Sequence, residues 1–140
     1  MRKWTSLTIV GAFVVGIASL AARPAAAHHS FTAFWFMDKM EAIEGTVVEL
    51  RMVNPHPTLT VEVTDAKGQK VVWTITARAT ATALVKGGWT IETLPRGTRV
   101  KVEGAPPRRA GTKALAAGAI TRMTDGKVLS FGGVGDIAAG

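Results

Sequence analysis

Residues 58–88 read TLTVEVTDAKGQKVVWTITARATATALVKGG, and the fold turns on how this stretch divides. In Thr58 to Thr64, Leu59, Val61 and Val63 fall on one side and Thr60 and Glu62 on the other, the period of a half-buried strand. Asp65-Ala66-Lys67-Gly68 is a turn, after which Val71, Trp73, Ile75 and Ala77 share one face of a second strand, completing a hairpin. From Ala79 to Lys86 alanine and leucine favour helix, and Gly87, just past the end, suits a left-handed cap.

Upstream, a strand runs from about Ile43 to Val53, with Gly45 marking a bulge or bend. Asn54-Pro55-His56-Pro57 ends it, because proline removes a ladder donor and restricts the residue before it. Downstream, Pro95 to Thr98 is a turn, and Arg99 to Glu103 alternates with Val100 and Val102 inward. Gly104 to Gly111 is a basic, proline-containing loop. Leu115 to Met123 is a strand, and Asp125-Gly126 turns the chain into Lys127 to Phe131. The order of three strands, helix and further strands is that of the OB-fold. The expectation is an all-β, OB-like, five-stranded antiparallel barrel over residues 41–131, with one short helix between the third and fourth strands. Val61, Val63, Trp73, Ile75, Val100 and Val102 should be its core. A sandwich without the helix is the competing architecture.

The chain opens with Met1, Arg2 and Lys3, continues apolar from Leu7 to Ala22, and reaches Ala25-Ala26-Ala27. That order predicts a signal peptide over residues 1–27. Cleavage after Ala27 gives the small-residue positions to Ala25 and Ala27, and the mature chain begins His28-His29-Ser30-Phe31. Removing 27 of 140 residues leaves 113, enough for one domain. Three of 17 basic residues go with the signal, leaving 14 against 10 acidic and a net charge of +4. With no cysteine there is no disulfide, thiolate chemistry or lipidated terminus. The apolar run is shorter than the ~20 residues a spanning helix needs, so no transmembrane anchor is expected after processing. The periplasm is the expected compartment. Residues 28–40 form an aromatic segment and residues 132–140 a flexible tail.

His28-His29-Ser30-Phe31, Gly45-Thr46-Val47, Asn54-Pro55-His56, Gly88-Trp89 and Gly97-Thr98 together resemble an uncharacterised family of small exported bacterial proteins. The resemblance runs from His28 to about Leu129 and implies export and fold. Two departures stand out. The family's aspartate after the first phrase comes late here, with Phe34-Trp35-Phe36-Met37 preceding Asp38 as a dipeptide insertion would place it, and Pro57-Thr58 replaces an apolar or aromatic pair.

All three histidines lie in two of these phrases. An N-terminal histidine offers its α-amine and ring Nδ1 together, and a second imidazole completes a three-nitrogen set of the kind called a histidine brace. Such nitrogen donors in a plane suit Cu(II). His28 would give two donors and His56 the third, with His29 competing and Asn54 orienting a ring from behind. As a turn residue, His56 is expected to add little to the core. Met37, Met40 and Met52 are thioethers available to Cu(I), with packing as their other role. Phe31, Phe34, Trp35 and Phe36 cannot all remain in water, so they pack across the barrel or meet a partner.

Other chemistries lack residues. Ser30 beside His29 has no third member, and Glu62 and Glu103 alternate outward, leaving no carboxylate pair for acid–base work. Arg96, Arg99, Lys101, Arg108, Arg109 and Lys113 make a basic district of the kind OB-folds use for nucleic acid. Export argues against that partner and favours a solvated face. The function expected is a non-catalytic copper-binding protein. The alternatives are a metal-free module docking a periplasmic or membrane enzyme through the aromatic segment, and an enzyme built on the brace.

Overall fold

The computed structural model describes residues 29–132, with side chains from Phe31 onward. The expected signal peptide, His28, the side chain of His29 and residues 133–140 of the expected tail lie outside the described residues. The elements run α1 (His29–Phe34), β1 (Glu41–Arg51), β2 (Thr58–Thr64), β3 (Lys70–Ala77), α2 (Ala81–Lys86), β4 (Arg99–Ala105), β5 (Ala114–Arg122) and β6 (Lys127–Ser130).

Long β1 organises the sheet. Its first half pairs antiparallel with β4, from Glu41↔Gly104 to Thr46↔Arg99, and its second half pairs with β2, from Thr46↔Glu62 to Arg51↔Thr58. Gly45 stands where the strand begins to change partners, and a Cβ there would meet the Glu62 carbonyl oxygen and lie 2.6 Å from Val61 Cγ1. Gly45 thus serves close approach of β1 to β2 and is not the bulge the sequence suggested there. The extra ladder residue comes three positions later, at Val48, between the Val47↔Val61 and Glu49↔Thr60 pairs. A bulge bends its strand and raises the twist, which lets one strand serve both sides of a barrel.

Closure follows from β3 and β5, which pair from Thr74↔Ala114 to Ala77↔Ala117. The ring is β1-β2-β3-β5-β4, and β6 extends it as a hairpin partner of β5. Five strands cannot alternate direction all the way round, so one neighbouring pair must be parallel, and here it is β3 with β5. The other pairs are antiparallel, as expected. A parallel pair needs a long crossover, and α2 with β4 supplies it. The result is the all-β, OB-like small barrel with a short helix between the third and fourth strands.

Val47, Leu59, Val61, Ile75, Val100, Val102, Leu115 and Ile120 fill the interior and are buried. Leu84 of α2, Trp89 and Phe131 join this core, with the Trp89 and Phe131 rings 5.1 Å apart. Val63 and Trp73 differ from expectation, being half-buried and packed against the core. Trp73, and Val71 opposite Val63, precede the stretch of β3 that pairs with β5, and the Lys113 ammonium lies 5.4 Å from the Trp73 ring. β4 also continues through Gly104 and Ala105, which were expected in the loop. A Cβ on Gly104 would lie 2.6 Å from the Ala116 carbonyl oxygen, so a residue without one lets β4 and β5 stay paired past their register shift.

Candidate functional site

The turn between β1 and β2 presents His56 and buries Pro57 beneath it. Two hydrogen bonds tie this turn to the end of β3. Ala77 N–H donates to the Pro57 carbonyl at 2.9 Å, and His56 Nδ1 lies 3.2 Å from the Ala79 carbonyl oxygen. A carbonyl only accepts, so Nδ1 carries the hydrogen, and in the neutral ring the lone pair is then on Nε2. Ala79 is itself held, its N–H donating to the Phe131 carbonyl at 3.2 Å. His56 is half-buried and structurally engaged, more than a turn histidine was expected to be. Asn54 is exposed and makes no hydrogen bond among the described residues, so nothing there has it orienting the ring.

The Phe31 ring meets the His56 imidazole edge-on, with centroids 4.9 Å apart and planes at 88°. From there the aromatic segment follows the loop between β4 and β5. Trp35 forms an antiparallel bridge with Pro107, Phe36 N–H donates to the Pro106 carbonyl at 2.9 Å, and Arg108 N–H donates to the Phe34 carbonyl at 2.9 Å. The Arg108 side chain adds Nε to the Thr32 carbonyl at 2.8 Å, and its guanidinium sits 4.6 Å from the Phe36 ring centroid. Lys39 Nζ lies 4.3 Å from the same centroid. Phe31, Trp35 and Phe36 are thus half-buried against their own chain, while Phe34 is 67% exposed. The loops after β1 and after β4 are those with which OB-folds hold ligands, and here both contact residues of the N-terminal segment.

Residues 16–116, or 101 of 140, match a family of unknown function, DUF6152. The chain belongs to that family. The region shared with DUF6152 takes in both histidine phrases and every contact between the aromatic segment and the barrel described above, and it ends inside β5. No curated protein matches the chain.

Among the described residues no three histidine, aspartate or glutamate side chains stand together as a metal site would require. Of the expected ligands only His56 has a described side chain. The methionines do not form one set: Met37 and Met40 line an open hollow of about 170 Å³ floored by Gly104 and Ala116, whereas Met52 packs against the barrel core. Sequence reading missed two roles. Ala79 acts through its backbone oxygen, and Arg108, read above only as part of a basic district, is indistinguishable in sequence from its neighbour Arg109.

Proposed function

We propose that the chain is an exported periplasmic protein, cut after Ala27, that binds Cu(II) without catalysis through the mature N-terminal histidine and His56. The observation that carries this reading is the hold on the imidazole. Metal-binding histidines characteristically donate their second ring N–H to a carbonyl or carboxylate, which fixes the tautomer and raises ligand basicity. The Ala79 carbonyl takes that part, leaving Nε2 as the donor atom.

Chain length supports the partnership. Phe31, in contact with His56, is three residues from His28, and three residues reach at most about 11 Å even when fully extended. The α-amine and Nδ1 of His28 would chelate the ion, with His56 Nε2 as third donor and His29 as competitor. Bound there, copper would be carried or buffered.

Of its four aromatic contact residues the metal-free docking reading keeps Phe34, 67% exposed, because the other aromatics are engaged with the barrel loops. Cu(II) titration decides between the two. Protein beginning at His28 should bind one ion tightly, and either His56→Asn or one added N-terminal residue should weaken binding markedly. Equal affinity in all three would reject the joint site and leave the docking module.

A further inference from the structure

We infer that the hollow over β4 and β5 is a binding site for a small anionic amphiphile, a carboxylate carrying one short apolar chain or ring. The site is independent of the copper reading above. Its floor comes from Gly104 of β4 and from Ala116, Gly118 and Ala119 of β5, none with a side chain longer than a methyl group. The two strands are out of step here. Glu103 pairs with Ala119 and Gly104 with Ala117, which leaves Gly118 over as the bulged residue. Two carbonyls of the bulge are already taken, Gly118 by the Phe131 N–H at 2.7 Å and Ala117 by the Arg78 N–H at 3.3 Å. The floor therefore offers methyl and methylene carbon rather than those oxygens.

Met37 and Met40 flank the floor, and Met40 is 71% exposed. Unbranched thioether chains can fold onto apolar groups of differing shape. The volume, about 170 Å³, suits one ring or short chain, since an apolar cavity of about 150 Å³ accepts benzene. Charge selects the head group. Lys39 and Arg78 bring two cations to the rim, whereas the one carboxylate among the lining residues, Glu103, is paired with Lys101 at 3.0 Å. The Lys39 ammonium is held there, 4.3 Å from the Phe36 ring centroid. A carboxylate can thus meet ammonium and guanidinium donors while its tail lies between the methionines. A cation would meet like charge, inorganic phosphate would leave the apolar floor uncovered, and a sugar would find no aromatic face among the lining residues.

The chain's five methionines supply both reporters and controls. In full-length protein labelled at its methionine methyl groups, hexanoate should shift the Met37 and Met40 resonances saturably and leave Met52 and Met123 in place. Half-saturation should fall near or below about 1 mM, the range open to a ligand of so few atoms. Acetate, which lacks the apolar body, should produce no saturable shift. Hexanamide, which lacks the charge, should bind about tenfold more weakly, the scale of one hydrogen bond to a charged group, and Lys39→Glu should weaken hexanoate at least as much. Ala119→Leu places a side chain in the hollow and should abolish the shifts. Its urea midpoint checks that the barrel stands, and the acetate and hexanamide comparisons need no variant. Shifts that rise linearly with hexanoate, or that reach Met52 and Met123 equally, would overturn the site, as would wild-type binding by a folded Ala119→Leu. Hexanamide binding as tightly as hexanoate would overturn the anionic class of ligand.

Discussion

His56 has one ring nitrogen committed and one open, and this division makes its substitutions informative. His56→Ala removes the donor to the Ala79 carbonyl and the edge contact with Phe31. It should cost about 1–3 kcal/mol, the penalty of an orphaned buried acceptor. His56→Asn, whose amide reaches roughly where Nδ1 sat, should cost less while still removing the proposed copper donor. Urea unfolding of both variants checks the order, and a neutral His56→Ala would mean that the hydrogen bond contributes nothing. The importance of His56 was legible in its phrase, but its partner was not, because a backbone oxygen 23 residues away leaves no mark on the sequence. Aromatic burial was legible only in part. Alternation puts Trp73 on the inward face, yet its strand stands beyond the pairing with β5 there, so its ring is half-buried. Phe131, at the chain's far end, is fully buried. Phe131→Ala should therefore cost about 3–5 kcal/mol and Trp73→Ala distinctly less, as comparison of their thermal midpoints would show.

At the scale of elements, α2 shows what a boundary reading can and cannot reach. The composition from Ala79 to Lys86 marks a helix, but Thr80 has extended dihedrals and its Oγ1 accepts from Ala83 N–H at 3.2 Å, so the helix starts at Ala81. At the other end Gly87 has φ −78 and the left-handed residue is Gly88, at φ 89. Gly88 N–H donates to the Val85 carbonyl and Trp89 N–H to the Leu84 carbonyl, both at 3.0 Å, which is the Schellman pattern. Trp89 and Leu84 are both buried, so the Gly88-Trp89 phrase has a structural reason: the glycine turns the chain and the tryptophan joins the barrel core. Gly88→Ala should cost about 1–2 kcal/mol in left-handed strain and Thr80→Ala about 1 kcal/mol, whereas Gly87→Ala should cost less than either. The β5–β6 hairpin carries a pH dependence. Hydrogen bonding to the Arg122 guanidinium, with the Lys127 N–H adding to it, lowers the Asp125 carboxyl from 3.8 to about 2. A carboxyl lowered by folding stabilises the native state above its unfolded value and loses that contribution as pH falls. Wild type should thus exceed Asp125→Asn in urea midpoint at pH 6 and converge with it between about pH 4 and 2, with added salt narrowing the gap because the pair is exposed.

At the scale of the whole molecule, alternation and turn residues were enough to predict the barrel. The closing pair is implied by strand number alone, whereas Val48 as the bulge depends on how β1 curves over two neighbours, which local sequence does not encode. The candidate site lay further from view because its contacts join Phe31 to Phe36 to a turn and a loop remote in sequence. Linkage between metal binding and folding tests that union. On the proposed copper reading, a His28 amine–imidazole chelate would form equally in folded and unfolded chains, so by itself it would bind both and leave stability unchanged. Only the share of binding that needs His56 in place favours the folded state. Cu(II) at a hundredfold excess over its dissociation constant should raise the unfolding free energy by up to about 2.7 kcal/mol, and by less to the extent that the local chelate survives unfolding. The gain should vanish in His56→Asn although that variant still binds copper at its terminus. It should also fade on acidification, since the ligand nitrogens must be unprotonated to bind metal. Calorimetric scans of both proteins with and without Cu(II), at neutral and mildly acidic pH, measure this. A wild-type chain that binds copper yet unfolds at an unchanged temperature would reduce the site to the terminal chelate and take His56 out of it.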